Sequence, residues 1–144
     1  MNPTIEFRLA RVRLATIWYT FTTLLLIIFF IQTILGRYGD AVESAWAWLI
    51  PTVVPSLSLI TGSLVIDFKK ISGKAKKADR FLFRLAFCLS IGYLLAVCLT
   101  VLSSPFAEQY AQISVIDLFN LSQLWLGPFQ GLVAASLGAF FVKT

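Results

Sequence analysis

LATIWYTFTTLLLIIFFIQTIL, residues 14–35, is a run of 22 residues without a single Asp, Glu, Lys or Arg. A helix of about 20 apolar residues is long enough to cross the ~30 Å hydrocarbon core of a bilayer. Three further uncharged runs of similar length cover residues 46–66, 85–104 and 118–142. The sequence therefore predicts an all-α membrane protein, a bundle of four transmembrane helices that forms a single domain over residues 1–144.

The composition agrees with a membrane protein. Hydrophobic residues make up 58% of the 144-residue chain and charged residues 13%. A soluble core of this size cannot bury so much apolar surface. Four spans and their turns leave no room for a separate soluble domain, so we expect the function to depend on the helices themselves or on short loops.

The basic residues predict the topology. Eleven of the twelve Lys and Arg residues lie before the first span, after the fourth, or in the loop of residues 67–84. The two other loops contain only Arg37 as a basic residue, together with four acidic residues. By the positive-inside rule, both termini and the basic loop 67–84 face the cytoplasm, and we expect a bacterial inner membrane.

Two short sequence matches suggest an internal repeat. Phe-Arg-Leu-Ala occurs at residues 7–10 and again at 83–86, and Trp-Leu-x-Pro occurs at 48–51 and 125–128. Each half would contain two spans, and two crossings return the chain to the same side. The halves would then be parallel repeats about an axis along the membrane normal. Chance matching in an apolar sequence of low diversity is the open alternative.

Small residues recur every four positions in the fourth span. Such ladders allow helices to approach closely in lipid, where packing and polar contacts drive association. We expect them to support helix packing and a homo-oligomer, but the pattern does not distinguish contacts within a bundle from contacts between subunits. The ladder is Gly127, Gly131, Ala135 and Ala139, with a weaker pair, Ser58 and Gly62, in the second span.

Gln130 is the most conspicuous polar residue inside a span. An amide in hydrocarbon needs a hydrogen-bond partner, because leaving it unsatisfied costs several kcal/mol. It therefore predicts either a hydrogen bond to another helix or a polar constriction around the axis of an oligomeric pore. The hydroxyls of Thr52, Ser56 and Ser63 share one face of the second span and would line such a path or bond to their own helix.

Several residue types are missing where catalysis or coupled transport would need them. The chain has no histidine, and no span contains a carboxylate. Cys88 and Cys98 are ten residues apart in one span, which does not suit a disulfide or a metal pair. We therefore expect neither an enzyme nor a cofactor or metal site.

The basic loop is the one sizeable polar element. Its seven basic residues are opposed by Asp79 alone among residues 69–84. Such a segment binds anionic lipid or docks an acidic cytoplasmic protein. Direct nucleic-acid binding is disfavoured because aromatic stacking platforms are confined to the flanking Phe68 and Phe81. The candidate docking residues are Lys69, Lys70, Lys74, Lys76, Lys77, Arg80 and Arg84.

Two functions remain open at this point. The first is an oligomeric membrane subunit that senses membrane events or anchors a cytoplasmic partner, as in a multi-protein defence-type system. The second is a small homo-oligomeric channel or membrane-permeabilising effector with its pore near Gln130. The size and four-span plan resemble those of colicin immunity proteins and of four-span subunits of phage-defence systems, in plan only and without a shared motif.

A short stretch before the fourth span is amphipathic. Phe106, Tyr110 and Ile113 lie at helical spacing, with polar residues between them. This spacing predicts a short surface helix that leads into the fourth span, with a binding site as the less favoured alternative.

Overall fold

Four long helices dominate the structure. The computed structural model describes residues 7–69 and 80–142 and contains no strand within them. All four helices of this part of the chain include stretches long and apolar enough to cross a membrane, which confirms the predicted all-α fold with four such helices and agrees with an integral membrane protein. The helices are α1 (Phe7–Ile34), α2 (Val42–Lys69), α3 (Arg80–Ala111) and α4 (Val115–Val142), and a 3₁₀ turn, Gly39–Ala41, precedes α2.

Short turns make α1–α2 and α3–α4 antiparallel hairpins. The first turn contains Gly36 and Gly39 at φ 69° and 50°, a left-handed conformation that glycine adopts at little cost. In the second turn, Ser114 caps α4: its Oγ accepts a hydrogen bond from the Asp117 backbone N–H at 3.1 Å. The two hairpins place the starts of α1 and α3 and the ends of α2 and α4 at the same end of the bundle.

The helices extend beyond the predicted spans, most clearly in α3. The expected span 85–104 is the centre of a helix that continues through Pro105 to Ala111. Proline at this position removes the donor to the Val101 carbonyl. Ser104 Oγ supplies a replacement hydrogen bond at 2.9 Å. Residues 106–111 are helical as predicted, but they continue α3 and do not lead directly into the fourth span.

The packing order of the helices does not fit the predicted two-fold axis. The most extensive contacts join α4 to α3 and to α2, and α1 packs against α2 and α3. Repeats about a central axis along the membrane normal would place α1 diagonally opposite α3, yet these helices are neighbours. The repeated Trp-Leu-x-Pro segments also differ in environment, since Trp48 is 4% exposed and Trp125 is 50% exposed. Gene duplication stays a prediction, but the two hairpins lie side by side.

Aromatic side chains fill the core near the α1–α2 turn. Trp48 stacks on Phe119 with ring centroids 4.3 Å apart, and Phe29 and Tyr38 pack against the same pair. Stacked and tilted aromatic pairs add stability beyond the apolar area that they bury. Trp48 Nε1 donates to Ser122 Oγ at 3.0 Å, so its polar atom is satisfied as well.

A second aromatic contact connects α1, α3 and α4 further along the bundle. Trp18 packs on Tyr93 at 6.1 Å, and Phe129 meets the edge of Tyr93 at 5.6 Å. Gly92 makes room for this contact, because a Cβ at that position would lie 3.2 Å from Phe129 Cζ. The absence of a side chain at Gly92 thus allows α3 and α4 to pack closely.

Candidate functional site: the basic end and the buried polar contacts

The bundle end at which α1 and α3 begin and α2 and α4 end is called the basic end below. The rings of Phe83, in the first turns of α3, and Phe140, near the end of α4, are 5.8 Å apart there. Arg13 and Arg84 are exposed at this end, and Arg80 is partly buried. The described part of the predicted docking set therefore lies together on one end of the molecule.

Most of the predicted docking residues are not covered by the described structure. Lys69 is the last residue of α2 and Arg80 the first of α3, so both ends of the predicted loop 67–84 are helical. Lys70, Lys74, Lys76 and Lys77 lie outside the described residues, and their role in docking stays a prediction. The two helix ends show only where the loop leaves and re-enters the bundle.

Arg11 is a buried cation at the basic end. Only 4% of its surface is exposed, and its Nη2 donates to the carbonyl oxygen of Phe141 at 2.7 Å. Its guanidinium also lies 5.1 Å from the centre of the Phe141 ring. A cation bonded to a terminal carbonyl is favoured by the negative end of the helix dipole. Arg11 therefore holds the beginning of α1 against the end of α4.

From the sequence, Arg11 was treated only as one of the basic residues that precede the first span. A signal for its burial was present, because Arg11 lies three residues before Leu14 and seven before Trp18. Leu14 and Trp18 are both fully buried, and this spacing keeps side chains on one helix face. A charged residue in line with a core stripe predicts a buried charge with a specific acceptor.

Gln130 bridges α4 to α2. Its Nε2 donates to the carbonyl oxygens of Pro51 at 2.9 Å and Thr52 at 3.2 Å. The Pro51 carbonyl lacks its usual helical donor, since the residue four positions later is Pro55 and has no N–H. Gln130 supplies the missing hydrogen bond. The amide that could have lined a pore is thus engaged within the bundle.

The hydroxyl residues predicted to share a polar face separate in the structure. Thr52 and Ser56 are buried between helices, and Ser63 is only partly buried and bonds to the carbonyl of Ile60 in its own helix at 2.6 Å. Thr52 Oγ1 likewise donates to the Trp48 carbonyl at 2.6 Å. The structure therefore brings Thr52 and Gln130 together but leaves Ser63 apart from them.

Tyr93 completes the contact around Thr52 and was not singled out from the sequence. Its hydroxyl donates to the Thr52 carbonyl at 2.8 Å, the same oxygen that accepts from Gln130. One backbone oxygen of α2 therefore joins α3 and α4. Pro55 is a sequence signal for the Gln130 contact, because it leaves the Pro51 carbonyl without its helical donor, but neither proline of α2 frees the Thr52 carbonyl that Tyr93 contacts.

The ladder of small residues points away from the other helices. All four of its residues are exposed, and a Cβ built at Gly127 or Gly131 meets no atom within 4 Å. Ser58 and Gly62 of α2 are also exposed, on a different side of the bundle. These exposed surfaces are open to lipid or to another subunit.

The α1–α2 turn lies at the other end of the bundle and is stabilised by polar contacts. Burial raises the pKa of Tyr38 above its usual range, against the smaller opposing effect of the Arg37 charge. The hydroxyl therefore stays protonated and donates to Gln32 Oε1 at 2.5 Å. Arg37 also pairs with Glu108 of α3 at 3.1 Å, an exposed ion pair worth about 0–1 kcal/mol.

Comparisons with protein families, curated proteins and solved structures give no match for this chain. Among the described residues, no group of three or more His, Cys, Asp or Glu side chains could hold a metal ion. A function has to be proposed from the chemistry of the two bundle ends and the helix surfaces.

Proposed function

We propose that the protein is a non-enzymatic, oligomeric membrane subunit that senses membrane events or anchors a cytoplasmic partner through its basic loop. In this proposal it lies in a bacterial inner membrane, with both termini in the cytoplasm, as the membrane component of a multi-protein defence-type system. The observation that carries the proposal is the concentration of positive charge in the sequence: eleven of the twelve basic residues lie before the first span, between the second and third, or after the fourth.

The charge concentration supports an acidic protein as the partner. Arg84 is exposed on the described surface of the basic end, beside the loop that contains the remaining lysines. A surface of one sign speeds encounter with an oppositely charged partner and excludes partners of like charge. The membrane itself is also anionic, so partner binding has to be measured separately from lipid binding.

The interior of the bundle lends less support to a pore. The channel alternative needs the Gln130 amide to face an axis, yet this amide donates to two carbonyls of α2. Thr52 and Ser56, its proposed companions, are buried between helices. We therefore keep the channel as the second function, to be taken up if no partner is found.

The test is affinity purification from native membranes in mild detergent, followed by identification of bound proteins and native mass spectrometry. We expect a stoichiometric soluble partner on the wild-type protein. Reversing the charge at Lys74, Lys76 and Lys77 to Glu should abolish its binding while leaving insertion and oligomer mass intact. The matched control replaces the same three lysines with Arg, which keeps the charge and should keep the partner.

Two results would contradict the proposal. If the Glu variant still binds the partner as well as the Arg variant does, the basic loop is not the docking surface. If the wild-type protein is recovered as a bare homo-oligomer, anchoring fails, and planar-bilayer recording becomes the next measurement.

A further inference from the structure

A groove of about 480 Å³ lies between α1 and α2, within their membrane-spanning segments. We call it the α1–α2 groove. It opens sideways from the bundle, so its occupant must come from the membrane or from another membrane-embedded chain. Its lining residues are Tyr19, Val54, Leu57, Ser58, Thr61 and Gly62.

Small side chains on α2 and one hydrogen bond across the groove give it its shape. Ser58 and Gly62 are exposed one turn apart, and a Cβ at Gly62 would meet no atom within 4 Å. Thr61 Oγ1 donates to the carbonyl of Leu57 at 2.7 Å. Its hydroxyl proton is thereby used, so the 2.5 Å contact with Tyr19 has the tyrosine hydroxyl as donor. This bond ties α1 to α2 beside an open, largely apolar space.

The groove is close to the basic end. Gly62 precedes Lys69, the last residue of α2, by seven residues, which is about 10 Å along a helix. Across the groove, Arg13 is exposed on α1, six residues before Tyr19. An apolar chain in the groove would therefore continue towards a region of positive charge.

The shape and the charge together indicate one kind of occupant. The groove is open to the membrane along its side and its lining is largely apolar, which suits a single hydrocarbon chain. Basic residues at the adjoining membrane surface attract anionic headgroups. A lipid with both features matches the apolar groove and its charged surroundings.

We propose that the α1–α2 groove binds an acyl chain of an anionic phospholipid whose phosphate lies at the basic end. The inference rests on the membrane placement in the proposed function but not on partner docking. It assigns Ser58 and Gly62 to lipid binding, whereas the small residues of α4 remain available for contact between subunits.

The test is native mass spectrometry of the purified protein with either phosphatidylglycerol or phosphatidylcholine added in equal amount. We expect selective retention of phosphatidylglycerol by the wild-type protein. Gly62→Leu places a side chain in the groove and should weaken this binding about tenfold, the effect of displacing roughly two buried methylenes. The open space at Gly62 lets the variant fold, which circular dichroism checks.

Ser103→Leu is the control. It adds the same leucine side chain at another exposed helical position, on α3 and away from both the groove and the α4 ladder of small residues. We expect it to retain phosphatidylglycerol like the wild-type protein. Ser58→Leu, one turn from Gly62, should also weaken phosphatidylglycerol binding. Agreement between the two variants would show that the effect is not specific to Gly62.

Three results would overturn the inference. They are equal retention of the two lipids by the wild-type protein, wild-type retention by Gly62→Leu, and loss of an oligomer by Gly62→Leu with lipid binding unchanged. The last result would make the groove a contact between two copies. Partner capture by Gly62→Leu should be unaffected, so failure of the groove and failure of partner docking are separate outcomes.

Discussion

At the scale of single residues, the bond between Gln130 and Pro51 explains how a polar side chain is kept inside a span. Pro55 leaves a backbone carbonyl without a donor, and Gln130 carries an amide that hydrocarbon cannot satisfy. Either group buried without a hydrogen bond would lower the stability of the fold, and the bond from the Gln130 amide to the Pro51 carbonyl satisfies both. The pair is therefore a compensating unit, and its two members should not act independently when they are replaced.

A double-mutant cycle tests this dependence. Gln130→Leu should lower the free energy of unfolding by about 1–2 kcal/mol, in the upper range for interhelical hydrogen bonds in membranes. In the Pro55→Ala background the new backbone N–H can bond to the Pro51 carbonyl, so Gln130→Leu should cost at least about 0.5 kcal/mol less. The measurement is reversible unfolding in bicelles. Equal costs in the two backgrounds would show that Gln130 does not serve that carbonyl.

Sequence reasoning could predict that Gln130 needs a partner, but it could not choose the partner. The choice depends on the register between α2 and α4, and no local pattern sets that register. The burial of Arg11 was within reach of the sequence, through its spacing to Leu14 and Trp18. Its acceptor, the Phe141 carbonyl, was not, because 130 residues separate the two in the chain.

At the scale of whole elements, α4 has two different faces. One face carries buried side chains such as Phe119, Leu126 and Leu137. The other carries Gly127 and Gly131 and faces outward. A hydropathy pattern cannot tell these faces apart, because both are apolar. The sequence thus predicted a ladder of small residues but not its direction, which depends on how α4 packs against α2 and α3.

The outward direction of the ladder predicts a subunit contact through α4. Gly131→Leu should shift the purified protein from oligomer to monomer, because the added side chain keeps helices from approaching closely. It should leave the fold of the monomer intact, since its Cβ meets no atom of the same chain within 4 Å. Native mass spectrometry measures the change, and Gly62→Leu should keep the wild-type mass. An unaltered oligomer in Gly131→Leu would exclude this face as the interface.

The ends of the helices were the part of the fold that the sequence predicted least well. Hydropathy identifies the residues that match hydrocarbon, whereas a helix continues for as long as its backbone bonds are satisfied. α3 therefore begins at Arg80 and ends at Ala111, beyond the expected span 85–104 at both ends. Pro105 would ordinarily suggest a boundary, but the hydroxyl of Ser104 satisfies the carbonyl that it frees.

At the scale of the whole molecule, the bundle is polarised along its axis. The basic end includes the beginnings of α1 and α3 and the ends of α2 and α4, and the sequence places almost all positive charge there. The opposite end carries aromatic packing and a single cation, Arg37. Two antiparallel hairpins are sufficient for this polarity, because each returns the chain to the end at which it started.

This polarity predicts one orientation in the membrane, and cysteine labelling can test it. With Cys88 and Cys98 replaced by Ala, a cysteine at Asp40 should react with a membrane-impermeant maleimide on intact spheroplasts. A cysteine at Ala75, in the basic loop, should react only after the membrane is opened. The reason is that basic residues in short loops are retained on the cytoplasmic side.

The charge itself, rather than some other feature of the loop, is the proposed cause of the orientation. Replacing the seven basic residues of loop 67–84 with Gln should therefore weaken the preference, giving a mixed population in which both cysteines are partly accessible. Exchanging each lysine for arginine and each arginine for lysine at these positions keeps the charge and should leave labelling unchanged. Access to Ala75→Cys on intact spheroplasts in the otherwise unaltered chain would reverse the predicted topology. The basic loop would then be unable to meet a cytoplasmic partner, so this measurement also bears on anchoring.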